Sequence, residues 1–449
     1  MNNPGALLGK DSSLFVDLYE LTMAQSYLEN GMSANATFSL FVRSSKVTRS
    51  YLVFAGLAEI IDYILAYSFH QETIEYLKST NLFNNKFLAY LENFRFTGTI
   101  RSMREGAIFF YDEPIMEVEA PIIEAQILET LILNLIHHQT LIATKAARCI
   151  SAANKKSLSD FSLRRSHGID AGMKSARSSF LVGFDTTSNV LAGKTYGIPL
   201  SGTMAHSYVS SFQNEIDAFR TYAQDNPTNT VLLIDTYHVA TGAKIATIVG
   251  KEMESRGQKL KAVRIDSGDL ASLSSIVRYI LDDADLQYVQ IIASGGLDEY
   301  QISDLVDKEC PIDVFGIGTR LGISEDMPSL DMVYKLVNYN NRDIKKSSEG
   351  KEYLSGKKQV FRVLDENGNM SQDIIGSHNE LAPRNSTPLL EERVDEGNIV
   401  AALPDLETIR GYFIHEFSTL DAKYKLLEKA SKYPVSVSNE LKLLQNTRP

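Results

Sequence analysis

The chain has 449 residues, 44% of them hydrophobic and 22% charged, with a formal net charge of −11. That length suits two domains, and the balance is ordinary for a soluble globular protein. The acidic excess argues against a general nucleic-acid or membrane-surface binder, which needs a basic face, though a local basic pocket for phosphates is compatible with it. Cys149 and Cys310 sit in no metal or disulfide pattern and read as buried, reduced thiols. The best apolar stretch, residues 122–136, is interrupted by Glu124 and Glu129, so no membrane span is expected. Residues 1–11 lack the charged start and apolar core of a signal peptide, which points to cytoplasm or nucleus.

In chain order, residues 13–29 carry Leu14, Leu18, Leu21 and Ala24 at helical spacing. Residues 36–43 alternate like a strand, and 56–66 return to a helical period. Two strands are expected at 106–112 and 115–120, paired around Asp112-Glu113-Pro114. Pro121 should then open a long helix reaching about Arg148, with Glu124 in its first turn. From residue 161 to 322 one device recurs: a short apolar run, a small or polar end, then a helix-like stretch. The clearest runs are Val231-Leu232-Leu233-Ile234 before Asp235, Ala262-Val263-Arg264-Ile265 before Asp266, Val289-Gln290-Ile291-Ile292-Ala293 before Ser294, and Ile312-Asp313-Val314-Phe315 before Gly316.

Such runs are the mark of βα units, whose parallel strands are buried on both faces and bind ligands at their carboxyl ends. After residues 332–338 the character changes. Residues 335–356 are polar and basic, Asn367-Gly368 signals a hairpin, and 391–444 look mainly helical. The expected organisation is an irregular TIM-like α/β barrel at 121–335, with a second α+β domain built from 1–120 and 336–449.

Several motifs mislead. Gly193-Lys194-Thr195 lacks the first glycine of a phosphate loop, and Gly316-Ile317-Gly318-Thr319-Arg320-Leu321-Gly322 exceeds the dinucleotide spacing by one residue. The histidines form no helical i, i+4 zinc pair, and there is no Gly-x-Ser-x-Gly elbow.

Five segments in order resemble the nicotinate phosphoribosyltransferase family. They are Asp17-Leu18-Tyr19-Glu20-Leu21-Thr22-Met23, Phe161-Ser162-Leu163-Arg164-Arg165, Ser201-Gly202-Thr203-Met204-Ala205-His206-Ser207, Val263-Arg264-Ile265-Asp266-Ser267-Gly268-Asp269, and Asp313-Val314-Phe315-Gly316-Ile317-Gly318-Thr319. Ser162 and Thr187 stand where the family pattern has glycine, a departure of local backbone rather than of chemistry.

The resemblance implies a type II phosphoribosyltransferase fold and synthesis of nicotinate mononucleotide and pyrophosphate from nicotinate and phosphoribosyl pyrophosphate. ATP hydrolysis would be coupled through a phosphohistidine, in the Preiss-Handler salvage of nicotinate for NAD. It further implies Mg2+ accompanying ATP and phosphoribosyl pyrophosphate, no tightly bound organic cofactor, and a homodimer with shared active sites.

The chemistry sorts the residues. Nicotinate presents a free pyridine lone pair, so no general base is needed. The ring must be positioned, the ribose hydroxyls bound, and the charge on departing pyrophosphate stabilised. Asp266, at a strand end, can accept ribose hydroxyls; Asp269 or Ser267 suits helix capping at least as well, which leaves Asp266 for ligand. Arg264 shares its strand face and must find an acceptor. Phe161 can stack on the ring, with Arg164 and Arg165 following on a predicted strand and available to a carboxylate or phosphate.

By resemblance, Tyr19 stacks from the neighbouring subunit and His206 takes the phosphoryl group, with Asp235 or Asp266 orienting its imidazole. Thr203 and Ser188 are candidates for the nicotinate carboxylate, and Asp235 joins the substrate-binding set. Gly295, Gly296, Gly316, Gly318 and Thr319 are expected to cradle the 5′-phosphate.

Rival readings are a nicotinamide or quinolinate phosphoribosyltransferase on a related barrel, the other phosphoribosyltransferase class, and a catalytically silent scaffold. Quinolinate would demand a denser basic cluster than Arg164 and Arg165. The second class needs an acidic pair, and Thr236 replaces its second acid.

Overall fold

The computed structural model describes residues 9–44, 47–345, 353–428 and 430–446. Most of the N-terminal stretch read above as lacking signal-peptide features (1–8 of 1–11), and 346–352 within the polar stretch, lie outside them. The chain divides into two units, Met1–Thr144 with Ser329–Pro449, and Lys145–Pro328. The first division falls inside helix Glu129–Ala153 rather than at residue 121.

In the first unit, strand Asn35–Val42 runs antiparallel between Met116–Pro121 and Met332–Tyr339, so segments from before and after the βα region share one seven-stranded sheet. The expected pairing of 106–112 with 115–120 does not occur. Ile108–Phe109 pairs with Leu52–Val53, and Met116–Pro121 pairs with Asn35–Val42 and Thr99–Ser102. The turn between them exists, with Asp112 at φ +69 and the buried Glu113 carboxylate accepting the Phe110 N–H. Its two arms nevertheless enter different sheets, which a local turn signal cannot specify.

The first α-helix starts only at Leu18, because residues 9–14 form a 3-10 turn. The long helix predicted from Pro121 is two, Ile122–Ile127 and Glu129–Ala153. The hairpin at Asn367-Gly368 joins Lys358–Leu364 to Met370–Ser377, with Asp365 accepting the N–H groups of Asn367 and Asn369. The region from 391 is less helical than its charge pattern suggested: strands Glu391–Asp395 and Val435–Val437 accompany helices Leu406–Thr419 and Asn439–Asn446. Both cysteines are buried and free. No helix among the described residues is long and apolar enough to cross a membrane.

The second unit holds strands β1 (Ser157–Asp160), β2 (Thr186–Thr187), β3 (Val231–Leu233), β4 (Ala262–Ile265), β5 (Gln290–Ala293) and β6 (Val314–Ile317). All pair in parallel, in the order β2-β1-β6-β5-β4-β3. Helices follow the strands, and β3 to β6 are almost wholly buried, as two-sided coverage requires. This is the TIM-like α/β unit, with β2 and β3 as edges of a curled half-barrel rather than neighbours in a closed ring. β6 lies two residues later than the apolar run suggested, because Asp313 accepts the Ile291 N–H ahead of the strand and Gly316 takes a strand position opposite Ser159.

In the first unit, Glu117 has a fully buried side chain paired with Arg101 (2.6 Å) and Lys358 (3.3 Å), and it accepts the Ser39 hydroxyl at 2.6 Å. Burial opposes ionisation of this carboxyl, but the Lys358 and Arg101 charges outweigh burial and hold it below its ordinary value. Its contribution is therefore complete at neutral pH and lost as pH falls through the lowered value. Glu117→Ala would strand two buried cations. A destabilisation of about 3–5 kcal/mol is expected in urea unfolding; a loss below about 1 kcal/mol would contradict the account.

Candidate active site

Because every strand of the second unit is parallel, all six carboxyl ends open on one rim. β4 places Arg264 in register with Leu233 of β3 and Ile292 of β5. A guanidinium stays charged in a protein and cannot remain unpaired in such a sheet. Its Nε donates to Ser294 Oγ (2.7 Å), Nη1 to Thr203 Oγ1 (3.2 Å) and Nη2 to Asp266 Oδ1 (2.5 Å). The same Asp266 oxygen accepts Ser294 Oγ at 2.6 Å. The guanidinium also lies 5.6 Å from the Phe161 ring centroid, so Arg264, not Arg164, is the cation beside that ring.

Burial opposes ionisation of Asp266, yet the Ser294 hydroxyl, Arg264 and His206 prevail and keep its carboxyl below the ordinary range. Asp269, not Asp266, caps helix Leu270–Asp283, accepting the Ala271 N–H at 3.2 Å. Asp235, one residue past Ile234, accepts the Asp266 N–H (3.0 Å) and the Ser267 hydroxyl (2.7 Å) through Oδ2. Its Oδ1 is buried without a hydrogen-bond partner among the described residues.

His206 opens helix His206–Ser210, its side chain 45% exposed. Nε2 stands 4.0 Å from Asp235 Oδ1 and 3.9 Å from Asp266 Oδ2. Nδ1 is 3.1 Å from the Thr236 hydroxyl. The two carboxylates expected to orient the ring are thus both at hand, but on Nε2 and beyond hydrogen-bond distance, while a threonine engages Nδ1.

Glycines shape the rest of the rim. A Cβ on Gly295, at φ +90°, would lie 1.8 Å from the Asp266 carbonyl oxygen, so only glycine lets β5 turn against β4 here. A Cβ on Gly316 would meet the Phe161 ring at 2.5 Å. Gly318 and Thr319 begin the short helix Thr319–Gly322. Its Arg320 Nη1 reaches Asp298 Oδ2 (2.9 Å) and Gln301 Oε1 (2.7 Å), the capping box of helix Glu299–Asp307, and so ties the two glycine loops together.

Phe161, Thr203, His206, Asp235, Arg264, Asp266, Gly295, Gly296, Gly316, Gly318 and Thr319 therefore share one rim. Ser188 follows β2 on the same rim, its N–H donating to the Asp160 carbonyl at 2.9 Å. Arg164 and Arg165 depart from expectation. The strand ends at Asp160, whose carboxylate accepts the Ser162 N–H, and residues 163–165 form a 3-10 turn with both side chains exposed. Tyr19 lies on helix Leu18–Glu29 of the first unit and is 47% exposed. Gly193-Lys194-Thr195 is part of helix Val190–Tyr196, as its failed loop spacing implied.

Sequence reasoning passed over Ser294, Thr236, Asp160 and the Asp298–Arg320 pair. Ser294 and Thr236 are single polar residues beside recognised strand ends, which is the signal that could have drawn attention to them.

Family profiles cover most of the chain: the nicotinate phosphoribosyltransferase N-terminal domain over residues 14–137, the family core over 156–360, and the C-terminal domain over 377–445. The chain belongs to the nicotinate phosphoribosyltransferase family. Nicotinate phosphoribosyltransferase pncB2 of Mycobacterium tuberculosis is 43% identical over 431 residues, covering 96% of this chain and 92% of the relative. The Bacillus subtilis nicotinate phosphoribosyltransferase is 36% identical over 458 residues, covering 95% and 93%. The crystal structure of human nicotinic acid phosphoribosyltransferase superposes with a TM-score of 0.87 at 27% identity, covering 96% and 99%. A nicotinate-nucleotide pyrophosphorylase from Pyrococcus furiosus shares the fold, at TM-score 0.74 and 23% identity over 92% and 97% of the two chains.

Gly295→Ala tests the rim's backbone. The added methyl must displace the Asp266 backbone, so turnover should fall on the order of 100-fold while stability drops by no more than about 3 kcal/mol. Activity within a few-fold of wild type would show that the loop has room this geometry denies it.

Proposed function

We propose that this chain joins nicotinate to phosphoribosyl pyrophosphate, giving nicotinate mononucleotide and pyrophosphate, with ATP hydrolysis coupled through His206 in salvage of nicotinate for NAD. The observation that carries the reading is the convergence of Arg264, Asp266, Thr203 and His206 within one hydrogen-bonded and ionic cluster on the rim. The pyridine nitrogen forms the new bond to the anomeric carbon as the bond to pyrophosphate oxygen breaks, and the electron pair leaves with pyrophosphate. Asp266, ionised by its partners, accepts ribose hydroxyls and faces the oxocarbenium charge that develops. Arg264 holds Asp266 and Thr203, and Phe161 lies over the base.

Thr203 and Ser188 offer hydroxyl donors to the nicotinate carboxylate, which favours the acid over nicotinamide. Gly295, Gly296, Gly316, Gly318 and Thr319 present backbone N–H groups to the 5′-phosphate. Arg164 and Arg165, exposed on the 3-10 turn that follows Phe161, meet anionic groups from the solvent side. Tyr19, itself half exposed, stacks on the ring from a second copy, which makes a homodimer the active form.

For the ATP step, the Thr236 hydroxyl can accept the Nδ1 proton of His206 and leave the Nε2 lone pair as nucleophile. Nε2 forms the bond to the γ-phosphorus as ADP departs. Water then cleaves the P–N bond, releases phosphate and restores the imidazole. Mg2+ would accompany the polyphosphates: Asp235, with one buried oxygen lacking a hydrogen-bond partner among the described residues, and Asp266 would offer it hard oxygens, and it would neutralise phosphate charge there.

Incubating the pure protein with phosphoribosyl pyrophosphate and nicotinate, nicotinamide or quinolinate tests the reading directly. Product only from nicotinate, formed faster with ATP, is expected; product from nicotinamide alone would reassign the substrate, and none from any base would favour the scaffold. His206→Ala should abolish ATP stimulation and phosphoenzyme while leaving ATP-independent turnover. Acid-labile phosphate persisting on that variant would point to another acceptor. Asp266→Ala should lower kcat far more than it raises KM for nicotinate, and matched losses in both would assign it a structural role.

A further inference from the structure

One buried ionisable group at the rim has no part in that mechanism. Asp160 ends β1, is 1% exposed, and has no cation partner among the described residues. A buried carboxylate without a counter-ion must be met by hydrogen-bond donors. Oδ1 accepts the Ser162 N–H at 2.9 Å, and Oδ2 accepts the Thr187 hydroxyl at 2.8 Å. The Thr187 oxygen in turn accepts the Asn189 N–H at 3.1 Å, and the Asp160 carbonyl accepts the Ser188 N–H at 2.9 Å. The two donors of the carboxylate thus stand at the heads of two different rim loops, Ser162 two residues past β1 and Thr187 as the last residue of β2. One loop carries Phe161 and turns at once into the 3-10 segment Leu163–Arg165; the other carries Ser188 and the N-cap Asn189 of helix Val190–Tyr196.

β1 and β2 pair only through Ser159–Thr186 and Asp160–Thr187, and β2 is an edge strand of two residues. Backbone bonds hold the second loop on both sides, Ser188 N–H to the Asp160 carbonyl and Thr187 to residues 199–201, and the Asp160–Thr187 side-chain bridge adds the direct tie between the carboxylate that bonds the first loop and the head of the second. We infer that Asp160 and Thr187 form a clasp that sets the distance between the ring-stacking wall at Phe161 and the carboxylate-binding wall at Ser188, making them positioning residues for the pyridine base. The inference rests on the proposed nicotinate site. It names two residues that touch no substrate yet govern the affinity for one of the two substrates.

The test separates base from ribose. Thr187→Val keeps the side-chain shape and removes the hydroxyl, Thr187→Ser keeps the hydroxyl, and Asp160→Asn removes the charge. KM for nicotinate is expected to rise on the order of tenfold in Thr187→Val and Asp160→Asn, since small misplacements of a bound reactant are costly. KM for phosphoribosyl pyrophosphate should stay within about twofold, and Thr187→Ser should behave as wild type. If Asp160→Asn does not fold, the valine and serine pair decides alone. Equal rises in both KM values, no change in either, or a serine variant as impaired as the valine would overturn the clasp. A wild-type protein that converts nicotinate while the variants show any of these patterns leaves the proposed function standing and removes only this inference. A wild type that makes no nicotinate product removes both.

Discussion

A permanent positive charge inside a parallel sheet is the constraint on which the rim depends. Arg264 occupies a strand whose neighbours are apolar on both sides, so its acceptors must come from strand ends and from the loop that carries Thr203. Those acceptors are then no longer independent. Ser294 bonds both Arg264 and Asp266, Asp266 is held through its N–H by Asp235, and Asp235 and Asp266 flank His206. Removing the guanidinium would take a shared partner from Ser294, Thr203 and Asp266 at once.

The first unit uses the same pairing chemistry for a different end. Arg362 is bound by Asp373 at 2.7 Å and Glu416 at 2.8 Å, and Glu117 by Arg101 and Lys358, with the central side chains at most 7% exposed. Arg362 and Glu117 are each enclosed and each met by two opposite charges, which suits scaffolding. On the rim the Asp266 side chain is 26% exposed, that of His206 is 45% exposed, and one oxygen of Asp235 lacks a partner. Solvent access to the acid and imidazole beside a preorganised guanidinium is what distinguishes the rim cluster from the enclosed ones.

The barrel-like middle was legible because parallel strands buried on both faces print their signature directly as apolar runs. That Asp266 is not the helix cap was also readable, since Asp269 or Ser267 suited capping at least as well, and Asp269 is the cap observed. What escaped was non-local. Nothing around 106–120 records that the two arms of its turn belong to different sheets. The helical pattern of 391–444 hid short strands that their non-local partners stabilise. Arg164 and Arg165 continue an apparent strand until one recognises that Asp160 accepts the Ser162 N–H and terminates it. Ser294 meets Arg264 and Thr236 meets His206 across 30 residues, and Asp298 meets Arg320 across 22, so their positions beside strand ends were visible but their partners were not.

The surroundings of Nε2 of His206 bear on how long any charged adduct there could last. On the proposed reading, a phosphoryl group on that nitrogen would share its space with two carboxylates that already lie within 4.0 Å. Like charges so close raise the energy of the adduct more than that of free imidazole, unless a bound cation intervenes. The pocket would then work as a spring rather than a reservoir, tending to discharge once the metal and nucleotide have gone.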